Sequence, residues 1–206
     1  AIPMKDKPVL VEVDFRVRYI HDLDEDSRIL LLRTTIRIDW QDYRLQWKPE
    51  DYAGVEDIRV KPMRVWKPDI KIHTYVGDNT GFISDLAPNV IVRISHNGVV
   101  TWVPDVMLIL ICDVDTTFYP YDTQHCEIVL NSWSYSIKYL HLKWPHNSTF
   151  TSPLKSTDWE SQGIVYNRKA HVYTDAEESF SMLVADMTMS RRISFTTLRS
   201  EEHTTE

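Results

Sequence analysis

Between Thr35 and Trp40 apolar and polar residues alternate without a break. Ile36, Ile38 and Trp40 therefore share one side of an extended chain, and Thr35, Arg37 and Asp39 share the other. A half-buried β-strand is the conformation that uses this period. Comparable signals predict strands at residues 9–17, 29–40, 90–94 and 99–103, and later ones at 126–130, 164–173 and 180–195. Turn chemistry separates them at Asp22-Leu23-Asp24-Glu25-Asp26, at Gly77-Asp78-Asn79 and at His96-Asn97-Gly98, where Asn-Gly tolerates positive φ and closes a hairpin. No long helical period interrupts the series, so the pattern favours an all-β, immunoglobulin-like antiparallel sandwich over an α/β fold.

A chain of 206 residues, 43% hydrophobic, can bury the core of one such domain. Its net charge of -7 comes from scattered acidic residues, which excludes a surface built to neutralise phosphates, so nucleic acid is not an expected partner. The longest apolar run, 106–111, is strand-sized and far short of the roughly 18 residues of a membrane span, so the chain as given is expected to be soluble. His21, His73, His96, His125, His141, His146, His171 and His203 show no HExxH spacing, and two cysteines make no zinc cluster. No catalytic residue, metal or cofactor is expected. Asn147-Ser148-Thr149 is a glycosylation sequon, with Asn147 the acceptor if it lies on an exposed loop of a secreted chain. Residues 136–162 read as a long irregular connection containing Asp158-Trp159-Glu160. The polar segment 196–206 reads as a disordered tail after a single domain, 1–195.

Cys112 and Cys126 enclose thirteen residues, among them Phe118-Tyr119-Pro120-Tyr121-Asp122. By themselves the two cysteines read equally as buried thiols or as a bridge; a disulfide closing such a loop would contribute about 3 kcal/mol. The spacing, with its aromatic-x-Pro-aromatic-Asp centre, resembles the signature loop of the pentameric Cys-loop receptors. The resemblance extends through Trp40-Gln41-Asp42-Tyr43-Arg44-Leu45-Gln46-Trp47, Pro49-Glu50-Asp51-Tyr52-Ala53-Gly54-Val55, Trp66-Lys67-Pro68-Asp69, residues 98–104 and Ser132-Trp133-Ser134-Tyr135. It covers about 8–195. It implies a Cys112–Cys126 disulfide, a sandwich of about ten strands with at most a short N-terminal helix, no catalysis, and a homopentamer of this chain with four further copies. Small ligands would bind at each subunit interface.

In such receptors an aromatic box holds the ligand, often through an ammonium on ring faces. The resemblance places Trp133, Tyr173 and Phe180 on the principal face; Trp133 is otherwise a core tryptophan. His73 stands where the family usually has tyrosine, with Tyr75 two residues on and expected to face the same way. The vicinal cysteines of acetylcholine-binding subunits are missing from the hairpin Tyr173-Thr174-Asp175-Ala176-Glu177-Glu178. On the complementary face Thr35 replaces a common aromatic, and Arg37 occupies the position at which GABA and glycine receptors hold a carboxylate, although it reads equally as a solvated arginine. Arg93, Thr101 and Val103 should line the same interface. Trp40, Trp47 and Trp66 match structural positions and are assigned to the core. The ligand is expected to be an amine, an amino acid or a bulkier amphiphile.

Glu25 and Arg192 match a pair that couples binding to gating, together with the aromatic turn of Phe118, Tyr119, Pro120, Tyr121 and Asp122. That turn points to a membrane domain as partner and so to the extracellular part of a neurotransmitter-gated channel. The segment after Phe195 does not resemble the family's first membrane helix, which leaves a secreted homologue resembling acetylcholine-binding protein as the alternative. An immunoglobulin-like adhesion module is a further alternative.

Overall fold

The computed structural model describes residues 1–3, 6–78, 80–146, 154, 156, 158–172 and 178–192. Two long strands, β1 (Val9–Asp24) and β2 (Ile29–Gln41), pair antiparallel and begin the larger sheet. To these are added β3 (Asp57–Val60), β4 (Ile70–Ile72), β5 (Val92–Ser95), β6 (Val99–Trp102), β7 (Asp105–Ile111), β8 (Thr123–Ser132), β9 (Leu140–Lys143), β10 (Trp159–Val172) and β11 (Ser179–Arg191). The larger sheet runs β3-β5-β6-β2-β1-β9 with β7 also on β2, and the smaller runs β10-β11-β8-β4. All pairings are antiparallel except β1 with β9. Among the described residues the only α-helix is α1 (Ile83–Leu86), between β4 and β5 rather than at the N-terminus.

Alternation decides which side chains meet between the sheets. Val11, Val13, Phe15, Leu30, Leu32, Ile36, Ile38, Val100, Trp102 and Leu108 from one sheet are buried with Ile70, Ile72, Ile128, Leu130, Leu183 and Met187 from the other. Trp40 is buried, and Trp66 packs edge-on against it at 6.0 Å with Trp47 partly buried nearby, so all three stabilise the core. Pro104, which has no N–H, divides β6 from β7; the ladder is carried across by Ile36 N, which donates to Pro104 O at 2.9 Å. β2 can therefore pair with both pieces.

The His96-Asn97-Gly98 corner closes β5 to β6 as its residue types require. Gly98 has φ 82°, Asn97 Oδ1 accepts from Val99 N, and a Cβ on Gly98 would lie 2.6 Å from Asp42 O. Cys112 and Cys126 are bridged, buried, and tie the end of β7 to β8. The stretch 136–162, expected to be irregular, contains β9, and β10 already begins at Trp159, a buried side chain. β11 ends at Arg191, and the predicted tail 196–206 lies outside the described residues.

Ile38→Ala should lower the free energy of unfolding in urea by about 3 kcal/mol. Arg37→Ala, one residue away on the exposed face, should cost less than about 1 kcal/mol. Equal costs would contradict this assignment of faces.

Candidate functional site

The turn after β8 is shaped by Asp69, the acid of the Trp-x-Pro-Asp motif. Its carboxylate accepts Ser132 Oγ and Ser134 N, each at 2.6 Å, and its carbonyl accepts Trp133 N at 3.3 Å. Both carboxylate oxygens are thus committed to holding Trp133 out from the sheet, where the residue is 51% exposed. An indole left this open on the edge of a sheet is a surface suited to a partner or ligand. His73 lies 6.0 Å from it between ring centroids, and Phe82 6.3 Å away, edge-on. His73 Nε2 meets Asn131 Oδ1 at 2.5 Å.

Lys71 also belongs to this cluster. Its Nζ stands 4.2 Å from the centroid of Trp133 and 5.7 Å from that of Phe82. Ile137 N donates to Ser179 O at 2.9 Å, which lays the start of β11 and the half-buried Phe180 beside the segment following Trp133. Tyr75 departs from the sequence expectation. β4 stops at Ile72, a turn follows, and Tyr75 packs against the core beside Gly81 rather than continuing the alternation from His73. Tyr173 and the sequon at Asn147 lie outside the described residues. Phe82 and Lys71 were missed in the sequence. The bridge Lys71↔Phe82 brings them together, and no spacing in the chain announces it.

The second group lies on the outward face of the larger sheet. Arg37, Arg93 and Thr101 line a cleft of about 230 Å³ with Ser95, Asn97 and Val99. Asp39 organises it: Arg37 Nε donates to Asp39 Oδ2 at 2.7 Å and Thr101 Oγ1 to Asp39 Oδ1 at 2.5 Å. The hydrogen bond and charge of Asp39 raise the Arg37 pKa further above its ordinary value. Arg93 pairs with Asp57 at 3.2 Å. Thr35 accepts Arg18 Nε at 2.8 Å, and Val103 is exposed just beyond β6. A larger, mainly apolar cleft of about 560 Å³ beside Leu45, Trp47, Tyr52, Val55, Ile58 and Ile94 contains none of the sequence-predicted residues; its indole N–H, on Trp47, is already spent on Val55 O.

At one end of the sandwich, Arg191 is held from every side. Nε and Nη2 donate to the two oxygens of Asp122 at 2.7 and 2.9 Å, and Nη1 meets Glu25 at 2.7 Å. The guanidinium lies between the rings of Tyr119 and Trp159, at 4.7 and 4.5 Å. This corrects the expected partner of Glu25 by one residue. At the end of β11 positions 191 and 192 point to opposite sides, and Arg192 Nη1 instead donates to Ser156 O. Burial acts to lower the Arg191 pKa, but the hydrogen bonds and charges of Asp122 and Glu25 outweigh it and raise the value. For Asp122 burial acts upward, and the hydrogen bonds of Arg191 and Gln124 overcome it, holding the carboxyl below its usual range. Around Pro120, which is buried after a cis peptide bond, Phe118 and Tyr121 are 74% and 72% exposed.

The chain is thus a β-sandwich with a bridged aromatic loop, an open aromatic cluster on one sheet and an arginine-lined cleft on the other. The model of the neurotransmitter-gated ion-channel ligand binding domain matches residues 1–193, and the chain belongs to that family, whose members are extracellular, non-enzymatic, and part of pentameric receptors for small molecules. It is 29% identical over 92% of its length to a neuronal acetylcholine receptor subunit alpha-9-II of Oncorhynchus mykiss, covering 34% of that protein. To subunit alpha-6 of Mus musculus it is 30% identical over 84% of its length, covering 36%. Rattus norvegicus subunit alpha-3 is 34% identical over 62% of the chain, covering 25% of its own. The chain spans about a third of the length of the first two relatives.

Because the folded pKa of Asp122 is depressed, its contribution to stability is complete above the unfolded value near about 3.9 and is lost as pH falls through the folded value. Asp122→Asn should therefore unfold more easily at pH 7 by about 3 kcal/mol, because Arg191 loses its bidentate ionic partner and keeps only Glu25. The gap to the native protein should narrow below about pH 4 in urea titrations. A gap independent of pH would contradict the ion-pair role.

Proposed function

We propose that this chain is the extracellular domain of a neurotransmitter-gated channel. Five identical copies would form a ring in which a small ligand sits between the Trp133 cluster of one subunit and the Arg37, Arg93 and Thr101 cleft of the next. The observation that carries this reading is the division of the site. The half-exposed aromatic cluster stands at the edge strand of the smaller sheet, and the arginine-lined cleft lies on the outward face of the larger one. Each is half of a pocket, with rings on one side and hydrogen-bond donors on the other, and a cyclic assembly joins unlike faces of this kind.

His73 and Phe180 extend the principal side, to which the sequence adds Tyr173, while Thr35 and Val103 flank the complementary cleft. Closing of the β10–β11 hairpin over a ligand would exclude water and strengthen the polar contacts. The route to a membrane domain runs through Glu25, Arg191 and Asp122 to Phe118, Tyr119, Pro120 and Tyr121. The exposure of Phe118 and Tyr121 favours this reading over a free secreted protein, because an aromatic tip left in water is an apolar patch lacking its partner. Asn147, the acceptor of the sequon, would carry a glycan.

Sedimentation should give the mass of five chains. A thermal-shift screen of amines, amino acids and amphiphiles should identify a ligand that stabilises by about 2.7 kcal/mol at 100 times its dissociation constant. Trp133→Ala should abolish that stabilisation. A monomeric mass, or unchanged ligand binding by Trp133→Ala, would overturn the proposal.

A further inference from the structure

We infer that Lys71 is a built-in cation of the aromatic site, and that it selects a ligand bringing a carboxylate to the Trp133 face over one bringing an ammonium. The inference rests on the reading of the Trp133 cluster as the ligand site. With Nζ 4.2 Å from the Trp133 centroid and 5.7 Å from that of Phe82, Lys71 lies within the roughly 6 Å over which a ring face attracts a cation. The position a ligand ammonium would take is therefore filled by a group tethered to β4. A second positive charge about 4 Å away is repelled even at the dielectric constant of water, and more strongly as water is excluded.

The surrounding charges point the same way. Among the described residues no carboxylate forms an ion pair with Lys71. Asp69, two residues before it, spends both oxygens on Ser132 Oγ and Ser134 N. Asn131 pairs with Lys71 across β4 and β8; its amide oxygen is taken by His73, and its Nδ2 has no acceptor among the described residues. Among the described residues the cluster thus carries a positive charge with no carboxylate paired to it. A carboxylate could pair with the ammonium while an apolar body covers the open indole and the edge of Phe82. Lys71 then sets charge selectivity from the principal side, independently of the arginines on the complementary one.

The test compares phenylacetate with phenyltrimethylammonium, two probes with the same ring and opposite charge, followed by quenching of tryptophan fluorescence and by calorimetry on the whole chain. The native protein should bind phenylacetate the more tightly. Lys71→Met should weaken phenylacetate and strengthen phenyltrimethylammonium, each by about tenfold, the equivalent of roughly 1.4 kcal/mol. Lys71→Gln should reproduce the reversal, guarding against a folding defect in one variant, and Lys71→Arg should keep the native order. An affinity for phenyltrimethylammonium that is the same in native protein, Lys71→Met and Lys71→Gln overturns the inference. If Trp133→Ala weakens both probes while the Lys71 variants change neither, the ligand site stands and only the role of Lys71 falls. If Trp133→Ala alters neither probe, the site itself is misplaced.

Discussion

The register of β2 is the constraint on which the other features depend. This one strand is hydrogen-bonded to β1 on one side and to β6 and then β7 on the other, so its pleat is imposed on the whole larger sheet. Because side chains alternate, fixing Ile36, Ile38 and Trp40 in the core also fixes Thr35, Arg37 and Asp39 outward. A shift of one residue would exchange the two sets, burying a guanidinium and a carboxylate and exposing two isoleucines. The hydrophobic core and the arginine-lined cleft are opposite sides of a single choice of register.

A second fixed point holds the far end of the sandwich. Arg191 joins three segments distant in sequence: the turn between β1 and β2 through Glu25, the bridged loop through Asp122 and Tyr119, and β10 through Trp159. A guanidinium so little exposed is tolerable because two carboxylates and two rings surround it, and removal of either carboxylate leaves it a single ionic partner. The end of β11 is thereby tied to the bridged loop, whose exposed tip carries Phe118 and Tyr121. The buried disulfide between Cys112 and Cys126 closes the same loop at its base.

Much of this was legible in the sequence because it is written in local patterns. Alternation gave the inner and outer faces of β2, Asn97-Gly98 gave a hairpin, and the residues between the cysteines gave the family. What was illegible is non-local. β3, β4 and β9 have three or four residues each, too few for a period to register, and they exist because neighbouring strands offer ladder positions. Tyr75 was misplaced since nothing in the chain marks the end of β4 at Ile72. The pairing of Glu25 with Arg191 rather than Arg192 depends on the β10–β11 register, which shifts between Ser161 and Gly163. Lys71 carries no motif at all. Its place on the indole follows from the turn that Asp69 imposes on Trp133.

In the proposed ring the aromatic cluster and the arginine cleft meet as one site, and the structure of the assembled protein with a bound ligand tests that directly. Electron cryomicroscopy should show a five-fold ring with the ligand between Trp133 of one copy and Arg37 and Thr101 of its neighbour. A ring in which Arg37 faces open solvent, or a ligand enclosed within a single subunit away from Trp133, would contradict it.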